Sequence, residues 1–309
     1  MTGHHTHSHL TYPFSLFSFG RYGQATSAEH QVHRDWLGSI FEDVDAKPNK
    51  NLHPVIQEFQ QLIEITPRVY VLLETMFEEV PQKPPYSNDP SGYPRIRDYR
   101  HFLQILNHLL TTAPSWSDKS ERSVPVGLPI SAILDWPIST PGGYAAFLDP
   151  DINKMIKKVL NAWSAYLQSP DSAHVLNDSP SGWFGTHNRA NLAEVARVGA
   201  CSRSATIGNK ALAFEEMFVC DPSAPYHGYK SWDGFFTRKF RENARPVASP
   251  DDDNVIVNAC ESRPYCVRRD AKARDKFWLK HQPYSVLDML AHDQLATKFV
   301  GGTVYQAFL

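Results

Sequence analysis

An α+β protein is what this sequence predicts: a helical N-terminal region, then a region that mixes short helices with strands. Three observations lead there. Apolar residues recur at helical spacing through much of residues 35–180. From about residue 211, short apolar runs suited to strands alternate with serine helix caps. The 23 prolines outnumber the 16 glycines, which favours many short elements joined by stiff loops.

Residues 1–34 carry His, Ser and Thr with little apolar periodicity and read as a mobile tail. His4, His5, His7 and His9 within it have adventitious metal affinity at most, and no metal site is expected. Pro54 suits a first helical turn, where its missing N–H costs nothing, and Val55, Ile56, Phe59, Leu62 and Ile63 follow at helical spacing. Thr66-Pro67 restarts a helix carrying Val69, Leu72, Leu73, Met76 and Phe77. Pro81, Pro84, Pro85 and Pro90 enforce a long loop. Asp98 is an N-cap before Phe102, Leu103, Leu106, Leu109 and Leu110. Asp149-Pro150 opens a helix with Ile152, Met155, Ile156, Val159, Leu160, Trp163 and Leu167, which Ser169-Pro170 stops. These stripes read as helix-packing core.

Residues 184–210 sustain neither period and read as a surface insertion or linker. Phe214, Met217 and Phe218 fit a short helix, and Ser231 caps another carrying Phe235, Phe236 and Phe240. Asn254–Asn258 reads as a buried strand, with further strands at Pro264–Arg268 and Phe277–Lys280. Ser285 caps a helix running to Leu290, and Gly301-Gly302 leads into a strand-like run, TVYQAFL.

The 309 residues suggest about two domains at ~150 residues each. The formal charge of −2 gives no electrostatic case for nucleic acid or an anionic membrane. No apolar run approaches the ~20 residues of a membrane span. The N-terminus has no Lys or Arg before its weak apolar stretch, so a secretory signal is not expected and a cytoplasmic location is. A mitochondrial alternative stays open because no acid precedes Glu29. Cys201, Cys220, Cys260 and Cys266 lack C-x-x-C spacing and read as reduced thiols.

Nucleotide-binding glycine motifs, H-E-x-x-H and G-x-S-x-G are all absent. One constellation stands out, SWDGFFTRKFRENARP at residues 231–246. Its functional reading is a basic rim in which Phe235, Phe236, Arg238 and Arg245 meet a carboxylate or phosphate, since guanidinium forks bind such groups bidentately. Its plain reading is a helix with Phe235 and Phe236 inside and a solvated basic face.

The same stretch resembles the F-x-x-F-F-x-R…R-P-[IV] opening of the catalytic domain of pyruvoyl-dependent phosphatidylserine decarboxylases. VIVNACES, FWLKHQPYSVLDMLAHD and FVGGTVYQAFL resemble three further family motifs in order. HPVIQEFQQLIE, RDYRHFLQILNHLL, ILDWPISTPGGYAAFL and SPDSAHVLND resemble the extra helical domain of the fungal branch that includes soluble L-tryptophan decarboxylases. The resemblance implies a helical domain at 35–180 and the first part of a pyruvoyl-decarboxylase-type mixed α/β catalytic domain at 211–309. It implies decarboxylation of an amino acid, L-tryptophan favoured, or of a phospholipid head group. In the family a serine attacks the preceding carbonyl with help from an Asp–His pair, and elimination leaves a pyruvoyl group that acts as an electron sink.

Three departures qualify this. Glu261 stands where the family has its catalytic Asp, one methylene longer, with Asp251, Asp252 and Asp253 as a competing acidic cluster. The family's Y-H-R-x-H motif and its cofactor-forming Gly-Ser are absent through Leu309. His281 stands where the family has Gly, and the 184–210 stretch is unusual. The expectation is a C-terminally truncated polypeptide that makes no pyruvoyl group and is inactive by itself. The alternatives are a non-catalytic binding or regulatory protein, pairing with an intact homologue through residues 303–309, and a fragment from an incomplete gene model.

Overall fold

Proline in the first turn, a side-chain cap before it, or both mark where most of the helices begin. The computed structural model describes residues 27–46, 51–80, 96–116, 129–134, 136–200, 213–242, 244, 247, 249–257, 262–279 and 282–308. The helices are α1 (Ser27–Ala46), α2 (Pro54–Ile65), α3 (Pro67–Glu78), α4 (Tyr99–Leu109), α5 (Pro129–Leu134), α6 (Pro141–Leu148) and α7 (Pro150–Gln168). Asp98 accepts from His101 N at 2.7 Å, Thr140 from Gly143 N at 2.9 Å, and Asp149 from the amides of Asp151 and Ile152. Each cap satisfies amides that have no partner inside the helix.

These helices share one core. Ile56, Phe59 and Ile63 of α2, Val69, Leu73, Met76 and Phe77 of α3, and Phe102, Leu103 and Leu106 of α4 are fully or almost fully buried. Helix α7 buries Ile152, Met155, Val159, Trp163 and Leu167. Leu160, expected in that stripe, is 42% exposed, because a residue next to Val159 lies about 100° away around the helix. Helix α1 begins inside the stretch read as a tail. The guanidinium of Arg97 holds it from the α4 side, donating to both Asp45 oxygens at 2.9 and 2.6 Å. Beneath that pair His101 is buried against Phe41, and burial pushes its pKa down.

A 3-10 turn at Pro170–Val175 follows α7, and then α8 (Thr186–Ala200), α9 (Phe214–Met217) and α10 (Trp232–Phe236). Helix α8 occupies residues 186–200 of the stretch read as a surface insertion or linker, and residues 201–210 lie outside the described residues. Its start is pinned by buried Asn188, whose Nδ2 donates to the carbonyls of Pro180 and Gly182 at 2.9 and 2.8 Å. Leu192 is buried as well. Among the side chains described in α8, at residues 186–193, Asn188 and Leu192 are the buried ones, too few for a periodicity test to detect.

The chain divides into two compact units, residues 20–246 and residues 247–309. Residues 213–242, expected with the catalytic domain, pack within the first. The second unit holds β1 (Arg263–Arg268), β2 (Phe277–Leu279), β3 (Gln282–Tyr284), helix α11 (Val286–Met289) and β4 (Val304–Phe308). Strand β1 pairs antiparallel with β4, with Val267 opposite Tyr305 and Arg268 opposite Val304 and a bulge between Pro264 and Cys266. Strands β2 and β3 form a separate antiparallel pair. Val304 packs on a small core of Ala271, Phe277 and Val286. Strand alternation turns Val267 and Tyr305 to the opposite face, where they are exposed, as is Tyr265.

The molecule is thus α+β, with α1 to α10 in one unit and short antiparallel pairs beside α11 in the other. The expected strand at 254–258 is corrected. Residues 254–257 form no strand, and Ile256 is 95% exposed. Among the described residues no strand pairs with this run, and an apolar run without ladder partners or a sheet face to join stays irregular.

Candidate functional site

The aromatic and basic residues of 231–241 gather around α9 and α10, and the local fold explains where each points. Ser231 caps α10 by accepting from Gly234 N at 3.1 Å, as the sequence predicts. Trp232 N donates to Ser172 Oγ at 2.9 Å, and that buried hydroxyl in turn donates toward the carbonyls of Leu167 and Ser169. Helix α10 is therefore fastened to the end of α7. Phe235 is fully buried. Its ring lies 5.1 Å from Trp183, 5.4 Å from Phe184 and 5.6 Å from Tyr229. Phe236 points the other way, 54% exposed and stacked on Trp232 at 4.8 Å.

Arg238 follows directly and turns inward. Its guanidinium carbon sits 4.5 Å from the centre of Phe218 and 4.8 Å from that of Phe235. Nη1 donates to Phe235 O at 3.2 Å, while Nε is enclosed with no acceptor. Burial lowers its pKa, but a guanidinium stays protonated at any physiological pH. The result is a cation held by aromatic faces, with no carboxylate partner among the described residues.

Arg241 is also committed to the fold. Its Nε donates to Glu215 O at 2.7 Å and its Nη2 to Cys220 O at 3.4 Å. Its amide donates to Met217 O at 2.9 Å, beside an antiparallel bridge between Phe218 and Phe240. Of the anticipated site residues, then, the structure brings Phe235 and Arg238 together in a packed cluster and leaves Phe236 at the surface. Arg245 and Glu261 lie outside the described residues, as do His281, the histidines of the N-terminal stretch and the loop prolines from Pro81 to Pro90.

Sequence reasoning missed a second group on the edge of this cluster. Arg189 of α8 reaches Glu215 of α9 at 3.2 Å. His227 Nδ1 lies 3.8 Å from the same carboxylate oxygen, and its ring stacks on Phe184 at 4.1 Å. The spacing of 26 residues between Arg189 and Glu215 carries no local signal. The P-Y-H-G stretch marks a turn, but not one with side-chain-bearing residues in the left-handed region.

In the second unit Ser285 caps α11. Its hydroxyl donates to Asp288 Oδ2 at 2.6 Å and accepts from Asp288 N at 3.1 Å, and His292 Nε2 meets the other oxygen of Asp288 at 3.0 Å. The serine is thus engaged as a helix cap, with a carboxylate between it and the imidazole. A pyruvoyl group requires a serine hydroxyl that a base can activate against the preceding carbonyl. Among the described residues of this unit, no serine is hydrogen-bonded to a histidine. Among the described residues, no cluster of His, Cys, Asp or Glu is arranged to hold a metal.

Family models described as phosphatidylserine decarboxylase match residues 53–192 and residues 232–309. A decarboxylase of Amanita muscaria, iboD, is 43% identical over 187 residues, covering 60% of this chain and 49% of that protein. The L-tryptophan decarboxylase of Psilocybe cubensis is 29% identical over 294 residues, covering 92% of this chain and 60% of that enzyme. That of Psilocybe cyanescens is 30% identical over 262 residues, covering 82% and 52%. The chain therefore spans about half to three-fifths of the length of these relatives. The second matched segment opens at Trp232, on the helix that Ser172 and Phe235 fasten into the helical unit. With both segments matched in order along one polypeptide, the chain belongs to the phosphatidylserine decarboxylase family.

Proposed function

We propose that this polypeptide belongs to an enzyme that decarboxylates a free aromatic amino acid, with L-tryptophan the favoured substrate. The observation that carries the reading is the likeness to an L-tryptophan decarboxylase along 92% of the chain, helical unit included. Two features agree with it. No described helix is long and apolar enough to cross a membrane. The helical unit encloses the start of the C-terminal matched segment through Phe235 and Trp232. The family's pyruvoyl group, where present, supplies a carbonyl that takes up electrons as carbon dioxide leaves.

We also propose that residues 1–309 by themselves do not turn over. The hydroxyl of Ser285 is committed as a cap, and Glu261 with its longer side chain takes the place of the family's Asp. A second reading, pairing with an intact homologue through residues 303–309, is favoured by the exposed Tyr265, Val267 and Tyr305 on one face of the β1–β4 pair.

One experiment separates these readings. The chain is purified alone, mixed with an intact homologous decarboxylase, and fused to the part of the Psilocybe cubensis enzyme that it does not match. Each preparation receives carboxyl-labelled L-tryptophan or phosphatidylserine labelled in the serine carboxyl. Alone, the chain should stay a single species near 35.0 kDa and release no carbon dioxide. The fusion should release it from L-tryptophan. Release from phosphatidylserine instead would refute the amino-acid reading, and turnover by the chain alone would refute inactivity. Altered activity of the homologue, abolished by Tyr305→Lys, would favour the pairing reading.

A further inference from the structure

Residues 221–228 make a small closed loop beside the aromatic cluster. Asp221 N donates to His227 O at 2.9 Å, and His227 N donates to Ala224 O at 3.1 Å. Asp221 Oδ1 accepts from the amide and hydroxyl of Ser223 at 3.0 and 2.6 Å. Inside this loop Tyr226 and His227 both sit in the left-handed region, with φ of 54° and 52°. Side-chain-bearing residues adopt that conformation uncommonly, histidine more readily than tyrosine.

The loop's anchor in the aromatic cluster is the imidazole. His227 is only 13% exposed in its side chain, stacked on Phe184 and edge-on to Phe214 at 6.2 Å. Its Nδ1 is buried with no hydrogen-bond partner, since 3.8 Å to Glu215 is beyond hydrogen-bond reach. The charged groups around it are Glu215 from α9, which favours an imidazolium, and Arg189 from α8, which opposes one and already holds the Glu215 oxygen. Phe184 and Phe214 bring no charge. The ring is seated for its neutral form, and burial pushes its pKa down.

We propose that residues 221–228 form a proton-operated clasp, closed over Phe184 while His227 is neutral and released when its imidazole is charged. For a histidine whose folded-state pKa is depressed, the unfolded or opened state binds the proton more readily. The clasp is therefore fully stable above the ordinary imidazole pKa of about 6.5 and weakens as pH falls through that value. Release hydrates the imidazolium and lets Tyr226 and His227 return to common backbone conformations.

Hydrogen exchange on the full chain at pH 7.5 and 5.5, corrected for intrinsic rates, reads this directly. The amides of Asp221 and His227 should lose about three- to tenfold protection at the lower pH, with α7 amides unchanged. His227→Phe keeps an aromatic stack that cannot titrate and should abolish the difference. Glu215→Gln removes the group that favours the charged ring and should enlarge it. An unchanged wild type, or an equal loss in His227→Phe, would overturn the proposal. If the variants fail to fold, an NMR titration of wild-type His227 decides: a pKa at or above about 6.5 refutes the clasp.

Discussion

Phe235→Ala should destabilise the helical unit by about 3–5 kcal/mol, the usual cost of emptying a phenylalanine site in a core. Phe235 is fully buried among the rings of Trp183, Phe184 and Tyr229, so its removal empties a packed core site. In a unit of this size the loss corresponds to a fall in Tm of roughly 6–20 °C. Phe236→Ala, one residue along the same helix, should cost about 1 kcal/mol or less, because only an exposed stack on Trp232 is lost. Thermal melts of the two variants test whether the opening of the decarboxylase-matched segment is core of the helical unit. Equal, small shifts would place α10 at its surface instead.

Arg238→Glu should be at least as damaging, at about 4 kcal/mol or more. The side chain enters a cage of Phe214, Phe218 and Phe235 whose ring faces favour a cation, and a carboxylate there would be desolvated against negative π faces. Arg238→Met should stay within about 1 kcal/mol of the parent, since an apolar chain of similar length replaces an ion that has no counter-charge among the described residues. The two variants distinguish roles. If Arg238 holds a substrate carboxylate in an active fusion, Arg238→Met raises KM while leaving Tm in place. If it acts only as a packing cation, KM and Tm both stay close to the parent values.

The helix starts were legible because caps are local. Asp98, Asp149, Ser231 and Ser285 each bond an amide two or three residues ahead, and proline at the first turn needs no partner at all. Strands β1, β2 and β4 were legible as short apolar or aromatic runs bounded by turns. What failed was what depends on distant residues. Helix α8 rests on Asn188 reaching back to the 180–182 turn, and Val255–Val257 has strand composition without a partner to pair with. The direction of Arg238 escaped a reading that treated a basic run as a rim, because the choice between solvent and an aromatic cage lies with Phe214 and Phe218, some twenty residues earlier. Glu215, His227 and Arg189 meet only through folding, and none stands in a recognisable motif.

The account rests on the claim that Trp232–Arg241, where the decarboxylase match begins, folds as part of the helical unit. Native-state hydrogen exchange across a denaturant series on the full chain measures this. The amides of Trp232, Phe235 and Arg241, bonded to Ser172 Oγ, Ser231 O and Met217 O, should open with the same free energy and denaturant slope as Asn153 in α7. Exchange of those three amides in step with Ala271 and Gly301 of the second unit, and apart from Asn153, would contradict it.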